Sequence, residues 1–141
     1  MTAGAPNSGF LWSDAWLLLA VDIARTESSV SLAGALGAGD AINHAVFTRE
    51  ELSGAINRLG RAGYLTFVEP NSLAITTSGA AVLRDATKGK RGWRARQTRL
   101  EQLLGVDGTL QRPDPRRAND GEEWSLAQSV YDEVVRHYLK A

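Results

Sequence analysis

The sequence predicts a mainly α-helical fold in which three helices are followed by a two-stranded β-hairpin and then by further helices. Two observations support this prediction. Residues 48–62 combine a helix start signal with apolar residues at helical spacing, and after Gly63 the apolar spacing changes to the alternation typical of β-strands. A chain of 141 residues, of which 43% are hydrophobic, is long enough to bury a core. We therefore expect one folded domain with a helical extension.

The third predicted helix has the clearest boundaries. Thr48 and Glu51 have the spacing of a capping box, in which the hydroxyl accepts a hydrogen bond from a free backbone amide and the glutamate accepts one from the amide of the capping residue. The apolar positions recur at i, i+4 and i+7: Leu52, Ile56 and Leu59. Gly63 can adopt the left-handed conformation that commonly ends a helix. The sequence therefore predicts a helix over residues 49–62.

A hairpin is predicted directly after this helix. Residues 64–68 and 73–76 are short runs rich in β-forming side chains. Pro70 and Asn71 between them favour a tight turn, because proline fixes φ and asparagine tolerates the second corner. The residues that follow predict a fourth helix over about 80–86.

Two helices are predicted before the capping box. The first begins at Ser13 as its N-cap and runs to about Arg25, and apolar residues cover most of its circumference, which predicts burial on several sides. Asp14 in its first turn suits the positive end of the helix dipole. Ser31 is expected to cap the second helix, in which Gly39 predicts a bend.

The chain is predicted to divide into three parts. Residues 1–11 are small and polar without periodicity and predict a flexible arm, residues 12–87 form the domain, and residues 88–141 form a helical extension. Within the extension, residues 105–121 contain two prolines and predict a linker, and a last helix is predicted over 122–139.

Three segments resemble winged-helix proteins. The phrase from Glu51 to Leu65 is similar to the third helix and first wing strand of these proteins. The phrase from Leu73 to Gly79 resembles the exit from the wing in MarR-type and PadR-type regulators, and residues 39–45 are similar to a stretch in small bacterial winged-helix proteins. The resemblance implies a winged helix-turn-helix fold over the predicted domain. It also implies a DNA-binding transcriptional regulator that acts as a homodimer built from its terminal helices.

In the resembling proteins the third helix enters the DNA major groove. With its apolar positions inwards, Asn57 can pair with adenine, arginines can pair with guanine or phosphate, and Gly54 allows a close approach. The predicted DNA-binding residues are Arg49, Ser53, Asn57, Arg58 and Arg61 in this helix and Lys88, Lys90, Arg91 and Arg94 beyond it. Two carboxylates oppose this prediction, since Glu50 and Glu69 lie where phosphate binding favours cations.

Charge is unevenly distributed along the chain, although the net charge is zero. Residues 88–117 carry nine basic and three acidic residues, a net charge of +6, while residues 1–87 and 118–141 each carry −3. The basic segment, in which Trp93 lies among arginines, can bind phosphate or an acidic protein partner, or it can be a solvated linker. A winged-helix module that binds proteins and not DNA is therefore the alternative function.

Five residues of the two terminal helices are predicted to form a homodimer interface: Trp16, Leu19, Trp124, Tyr131 and Tyr138. Each of the two helices contributes a tryptophan, a residue type that is enriched at interfaces between chains. The alternative is that they meet within one chain, because tryptophan is equally at home in a core.

Composition excludes several classes of site. The absence of cysteine removes disulfides, thiolate catalysis and cysteine-based zinc sites. The longest apolar run, residues 15–21, is shorter than the roughly 20 residues that span a bilayer. The first residues also lack the basic start of a secretory signal, so we expect a cytoplasmic protein with no membrane partner.

No constellation of catalytic residues stands out in the sequence. Asp40 and His44 have the spacing of two metal ligands on one helix face, but a third ligand is not evident, and local hydrogen bonds are the favoured interpretation. Nucleophile motifs and phosphate-binding glycine loops are also missing from the sequence. We therefore expect neither enzymatic activity nor a cofactor or metal.

Overall fold

The computed structural model of the chain describes residues 9–25, 29–68, 71–89, 92–106 and 126–140. In these parts of the chain the fold is mainly helical, with a small antiparallel sheet. The elements are α1 (Trp12–Ala24), β1 (Val30–Ser31), α2 (Leu32–Asn43), α3 (Arg49–Arg61), β2 (Leu65–Val68), β3 (Ser72–Ile75), α4 (Thr77–Thr87), α5 (Trp93–Leu104) and α6 (Gln128–Lys140). Among the described residues, no helix combines the length and the apolar character needed to cross a membrane.

The three strands form one sheet in the order β1-β3-β2, and both pairs are antiparallel. The predicted hairpin is confirmed, since β2 and β3 pair with Phe67 opposite Leu73. Val30 of β1 lies opposite the same leucine on the other side, and Leu73 is fully buried. Strand β1 thereby ties the connection between α1 and α2 to the hairpin. Residues 69–70 of the predicted turn lie outside the described residues.

Helix α1 lies at the centre of the fold, as its largely apolar circumference predicts. Residues 15–21 are all buried, and α1 packs against α2, α3 and α5. The prediction that Ser13 caps this helix is wrong. Leu11 holds the capping position, and its backbone N–H donates to Asp14 Oδ2 at 2.9 Å. Ser13 lies two residues beyond the capping position, inside the first turn, and its side chain is buried.

Helix α2 continues without interruption through Gly39, the position where the sequence predicts a bend. The glycine serves close packing instead. The indole Nε1–H of Trp16 donates to the Gly39 carbonyl oxygen at 3.0 Å, and the Phe47 ring lies so close to Gly39 that a Cβ atom would collide with it. The predicted Ser31 cap is confirmed, since its hydroxyl accepts from the Gly34 N–H at 3.0 Å.

Helix α3 confirms the local signals of the sequence. The Thr48 hydroxyl accepts from the Glu51 N–H at 3.0 Å, and the Glu51 carboxylate accepts from the Thr48 N–H at 2.9 Å, which completes the capping box. Gly63, with a φ of 84°, follows the end of the helix in the left-handed region. Leu52 and Leu59 are fully buried, so the predicted apolar face points into the core.

Two glycines at opposite ends of the hairpin should respond oppositely to alanine. A Cβ atom at Gly79 would collide with the backbone carbonyl oxygen of Tyr64, whereas at Gly60 the nearest heavy atom lies at 3.6 Å. We expect G79A to lower the free energy of unfolding by about 1–3 kcal/mol, since the backbone must shift. G60A should raise it by up to about 1 kcal/mol, because alanine is the better helix former. Urea denaturation of both variants tests this, and equal effects would contradict it.

The extension packs back onto the domain in two places. Helix α5 packs against α4 and α1, whereas α6 packs mainly against α2. Leu126, just before α6, and Val134 within it are both buried. Residues 107–125, which include most of the predicted linker and the predicted start of the last helix, lie outside the described residues.

Candidate functional site

The first turns of α3, on the face predicted to read DNA, contact the C-terminal part of the same chain at Arg49 and Ser53. Residues 51–56 are all buried. The Ser53 hydroxyl accepts a hydrogen bond from the Leu126 N–H at 3.0 Å, and Ser53 has no exposed surface. Ser53 is therefore an internal anchor for the C-terminal segment in this structure and has no surface for a base to reach.

Arg49 holds the same segment by its other side. Its Nη1 donates to the Leu126 carbonyl oxygen at 3.1 Å, and its Nε donates to Gln128 Oε1 at 3.1 Å. Two residues predicted to contact DNA, Arg49 and Ser53, thus meet at one backbone position. Between them they bind the N–H and the carbonyl of Leu126, so this residue is fixed at the first turns of α3.

Arg58 is engaged inside the protein by a carboxylate from α1. Its Nε and Nη2 donate to Asp14 Oδ2 and Oδ1 at 2.7 and 2.8 Å, a two-bond arrangement that matches the planar guanidinium to the carboxylate. Asp14 has no exposed surface. Burial raises the pKa of this carboxyl group, while Arg58 and the Leu11 N–H act in the opposite direction. In this arrangement Arg58 is committed to the fold and does not reach outwards.

The remaining predicted residues of α3 lie closer to the surface. The Asn57 side chain is half-buried and its Nδ2 donates to the Ser53 carbonyl oxygen at 3.0 Å, whereas Arg61 is exposed. Gly54, predicted to allow a close approach of DNA, is buried. A Cβ atom there would lie 2.8 Å from Arg58 Nη2, so the glycine makes room for the guanidinium group.

Helix α6 occupies a groove between α2 and the start of α3, which we call the α2–α3 groove. The Tyr131 hydroxyl donates to the Phe47 carbonyl oxygen at 2.5 Å, and the Tyr138 hydroxyl donates to Asp40 Oδ2 at 2.6 Å. Burial, then the charges of nearby carboxylates, raises the pKa of Tyr131, and the bond to Asp40 raises the pKa of Tyr138. Both phenols are therefore stable hydrogen-bond donors.

Four of the five residues predicted to form a dimer interface are described, and each of them contacts its own chain. Trp16 is 1% exposed and stacks on Phe47 with ring centroids 3.7 Å apart, and Leu19 is fully buried. Tyr131 and Tyr138 bind the α2–α3 groove of their own chain, and Trp124 lies outside the described residues. Trp16 and Leu19 are core residues because α1 is surrounded by other helices of its own chain.

Four cationic side chains and one tryptophan lie on and before α5, and we call this set the basic surface: Lys88, Trp93, Arg94, Arg96 and Arg99. Lys88 and Arg94 are exposed, and the Arg96 guanidinium lies 4.7 Å from the centroid of the Trp93 ring. Trp93 is 39% exposed, unusually open for so large an apolar side chain. Lys90 and Arg91, also predicted to bind DNA, lie outside the described residues.

Sequence reasoning missed the ion pair between Asp14 and Arg58 and the contacts of α6. The signal for the pair is the position of Asp14 next to the long apolar run of α1, whereas the sequence alone assigns this carboxylate to the helix dipole. Asp40, considered with His44 as a ligand pair, accepts a hydrogen bond from Tyr138 instead. Within the described parts of the chain, no three potential metal-binding side chains come together. Comparison of the chain with known protein families, with characterised proteins and with solved structures finds no match.

Proposed function

We propose that this chain is a winged-helix module that binds an acidic protein partner through the basic surface. One observation carries the proposal more than any other. The first turns of α3, which would have to enter the major groove in a winged-helix DNA reader, are covered by residues 126–128. On α5, in contrast, Arg94 is exposed, while Arg96 and Arg99 are half-buried.

The winged-helix assignment is supported by the order of the elements. A short strand lies between α1 and α2, α3 leads into a hairpin, and the short strand pairs with the second strand of that hairpin. The order of three helices and a hairpin is the one that the resemblance implies, and β1 adds a third strand to the hairpin. A fold of this kind hosts many functions, so the function must be argued from the surface.

The composition of the basic surface suits an acidic protein segment. Arginine forms strong, charge-assisted hydrogen bonds with carboxylates, and tryptophan and arginine are the residues that most often dominate the affinity of protein interfaces. Trp93 supplies an exposed ring, and Arg94 supplies an exposed guanidinium on the next position. A peptide with alternating acidic and apolar residues would satisfy both.

A second candidate is the DNA-binding transcriptional regulator that acts as a homodimer in the cytoplasm. The observation that favours it is the same cationic surface, since Lys88 and Arg94 are exposed and suited to phosphate. In that function the α5 side chains would supply most of the binding, because residues 126–128 engage Arg49 and Ser53 of α3 and Asp14 engages Arg58. Binding would then show little preference for base sequence and a steep dependence on salt.

Fluorescence anisotropy with two labelled probes separates these functions. The probes are a polyglutamate peptide and a random-sequence DNA duplex, each titrated with the full chain at several salt concentrations. We expect the peptide to bind, and the double variant R94A/R99A to bind it roughly tenfold or more weakly, the equivalent of about 1.4 kcal/mol. R136A, which removes an exposed arginine of α6, is the matched control and should leave affinity unchanged.

The outcomes are distinct. Binding of the duplex but not the peptide, lost in R94A/R99A, would replace the first proposal with the second. Failure of both probes to bind would rule out the basic surface as a binding site of either kind. A loss in R136A equal to that in R94A/R99A would show that the affinity reflects overall charge and no particular surface.

A further inference from the structure

The α2–α3 groove has a chemistry that selects for a particular kind of helix. Two acceptors, the Phe47 carbonyl oxygen and the Asp40 carboxylate, bind hydroxyl groups that are seven residues apart on α6. Gly37 lies beneath the second aromatic ring, where a Cβ atom would be 3.2 Å from Tyr138 Cε1. Residues seven apart lie on the same face of a helix, two turns from each other. The groove therefore recognises a helix by two phenol groups at a fixed spacing.

The groove also makes contacts with the residues of the bound segment that precede the first tyrosine and lie between the two tyrosines. Ser53 and Arg49 bind the backbone N–H and carbonyl of Leu126, five residues before the first tyrosine. Val134, three residues after that tyrosine, is 4% exposed. The pattern is an apolar residue, a tyrosine, an aliphatic residue and a second tyrosine on one side of a segment. Ser53 and Arg49 engage backbone atoms, so they suit any segment that brings this pattern.

Helix α6 is held less firmly than the other helices of the fold. Among its described residues Val134 is buried, and the rest are half-buried or exposed, whereas residues 15–21 of α1 are buried without exception. Elements that bury little apolar surface open at a lower free energy than the whole domain. The groove is therefore accessible through opening of α6 while α1, α2 and α3 remain packed.

We propose that the α2–α3 groove is a helix-binding site that α6 occupies within the chain, and that a helix of another protein with the same tyrosine, aliphatic and tyrosine pattern takes its place. This site is separate from the basic surface, so the proposal does not depend on the function proposed above. Helices that lay an apolar face into a groove are a recurrent mode of peptide recognition. The internal helix then sets the affinity of the partner, because the two compete for one groove.

The charges around the groove favour a protein helix over DNA. Asp40 is an acceptor in the groove, and Glu50 and Glu51 lie close enough to Tyr131 to raise its pKa. These carboxylates would repel phosphate groups. A tyrosine hydroxyl, in contrast, brings a donor without a negative charge.

The test uses the full chain and a labelled synthetic peptide with the sequence of residues 126–141. V134D places a charge on the buried side of α6 and changes no residue of the groove. We therefore expect α6 to dissociate from the α2–α3 groove, which stays folded and open to the peptide. We expect the V134D chain to bind the peptide at least tenfold more tightly than the native chain. S129D, which adds the same charge at an exposed position of α6, is the matched control and should behave as the native chain.

Specificity is tested on the side of the peptide. A peptide with both tyrosines replaced by phenylalanine, corresponding to Y131F and Y138F, should bind the V134D chain at least tenfold more weakly. Adding R94A/R99A to the V134D chain should leave peptide affinity unchanged, which separates this site from the basic surface. Hydrogen exchange should show faster exchange at residues 47–57 in V134D, with α1 still protected.

Should V134D unfold the domain, the full chain with Y131F/Y138F replaces it, because it weakens α6 without adding a charge. The proposal is overturned if neither variant binds the peptide more tightly than the native chain. It is also overturned if V134D gains affinity for a DNA duplex and none for the peptide, since the covered surface would then serve nucleic acid. Equal affinity of the tyrosine and phenylalanine peptides would show that the groove does not recognise a helix by its two phenol hydroxyl groups.

Discussion

Replacing Arg58 with methionine should lower the free energy of unfolding by about 3–5 kcal/mol, because it leaves the buried Asp14 carboxylate without its cation. Asp14 has no exposed surface, and both of its oxygens accept hydrogen bonds from Arg58. After the substitution, the Leu11 N–H is the donor among the described residues that still binds this carboxylate. Urea denaturation of R58M at neutral pH measures the loss.

Two further variants show whether the loss comes from the unpaired charge. The double variant D14L/R58M should recover most of the stability, since apolar residues of similar size can replace a buried ion pair with little loss. R84M, which removes an exposed arginine of α4, should change stability by no more than about 0.5 kcal/mol. If R58M were as stable as the native chain, the pair would not be buried in solution.

The pH dependence of R58M follows from the same carboxyl group. Burial raises the pKa of Asp14 above its ordinary value of 3.8 even with Arg58 present, and removing the cation raises it further. A carboxyl group with a raised folded-state pKa favours the folded state at low pH, and this contribution is lost as the pH rises through that pKa. The stability gap between R58M and the native chain should therefore narrow as the pH is lowered from 7 towards 4.

Replacing Phe47 with alanine should lower the free energy of unfolding by about 3–5 kcal/mol, the usual range for a buried phenylalanine. The side chain has no exposed surface, stacks on Trp16 and packs against Gly39, so its neighbours have little freedom to fill the cavity. The Phe47 carbonyl also accepts the hydrogen bond from Tyr131, so α6 should loosen as well. Thermal unfolding gives the loss, and hydrogen exchange of α6 reports the loosening.

F67A is the matched control for this change. Phe67 lies on β2 and is half-buried, so the same substitution removes less buried surface and should destabilise the chain clearly less. A loss in F67A equal to that in F47A would mean that the hairpin, and not the stack on α1, holds the core together. Undiminished protection of α6 in F47A would show that α6 is seated independently of residue 47.

The sequence predicts best those elements whose signals are local. The capping box at Thr48 and Glu51 and the helix end at Gly63 follow from residues within a few positions of each other, and the structure confirms them. The hairpin follows from a change of apolar period and is confirmed too. These features depend on backbone hydrogen bonds and left-handed φ values, which short-range chemistry specifies.

The sequence predicts poorly the role of a residue whose main contacts are with a distant part of the chain. Gly39 has the local signature of a helix bend, but a ring eight residues later and an indole from α1 determine its role. Arg58 has the helical position of a DNA contact, but its partner lies 44 residues earlier. The polar face of α3 suggests a free surface, yet residues 126–128 contact it at Arg49 and Ser53. Periodicity identifies which side of a helix is polar and does not identify what lies against it.

The pairing of Asp14 with Arg58 has a consequence for how relatives of this chain should vary. A buried carboxylate is tolerated with its guanidinium partner, but either charge alone destabilises the fold. Evolution should therefore replace both residues together or keep both. In an alignment, positions 14 and 58 should therefore covary strongly. If Arg58 were invariant in such an alignment, the reason would be its role in folding, and the conservation would not indicate a ligand-binding residue.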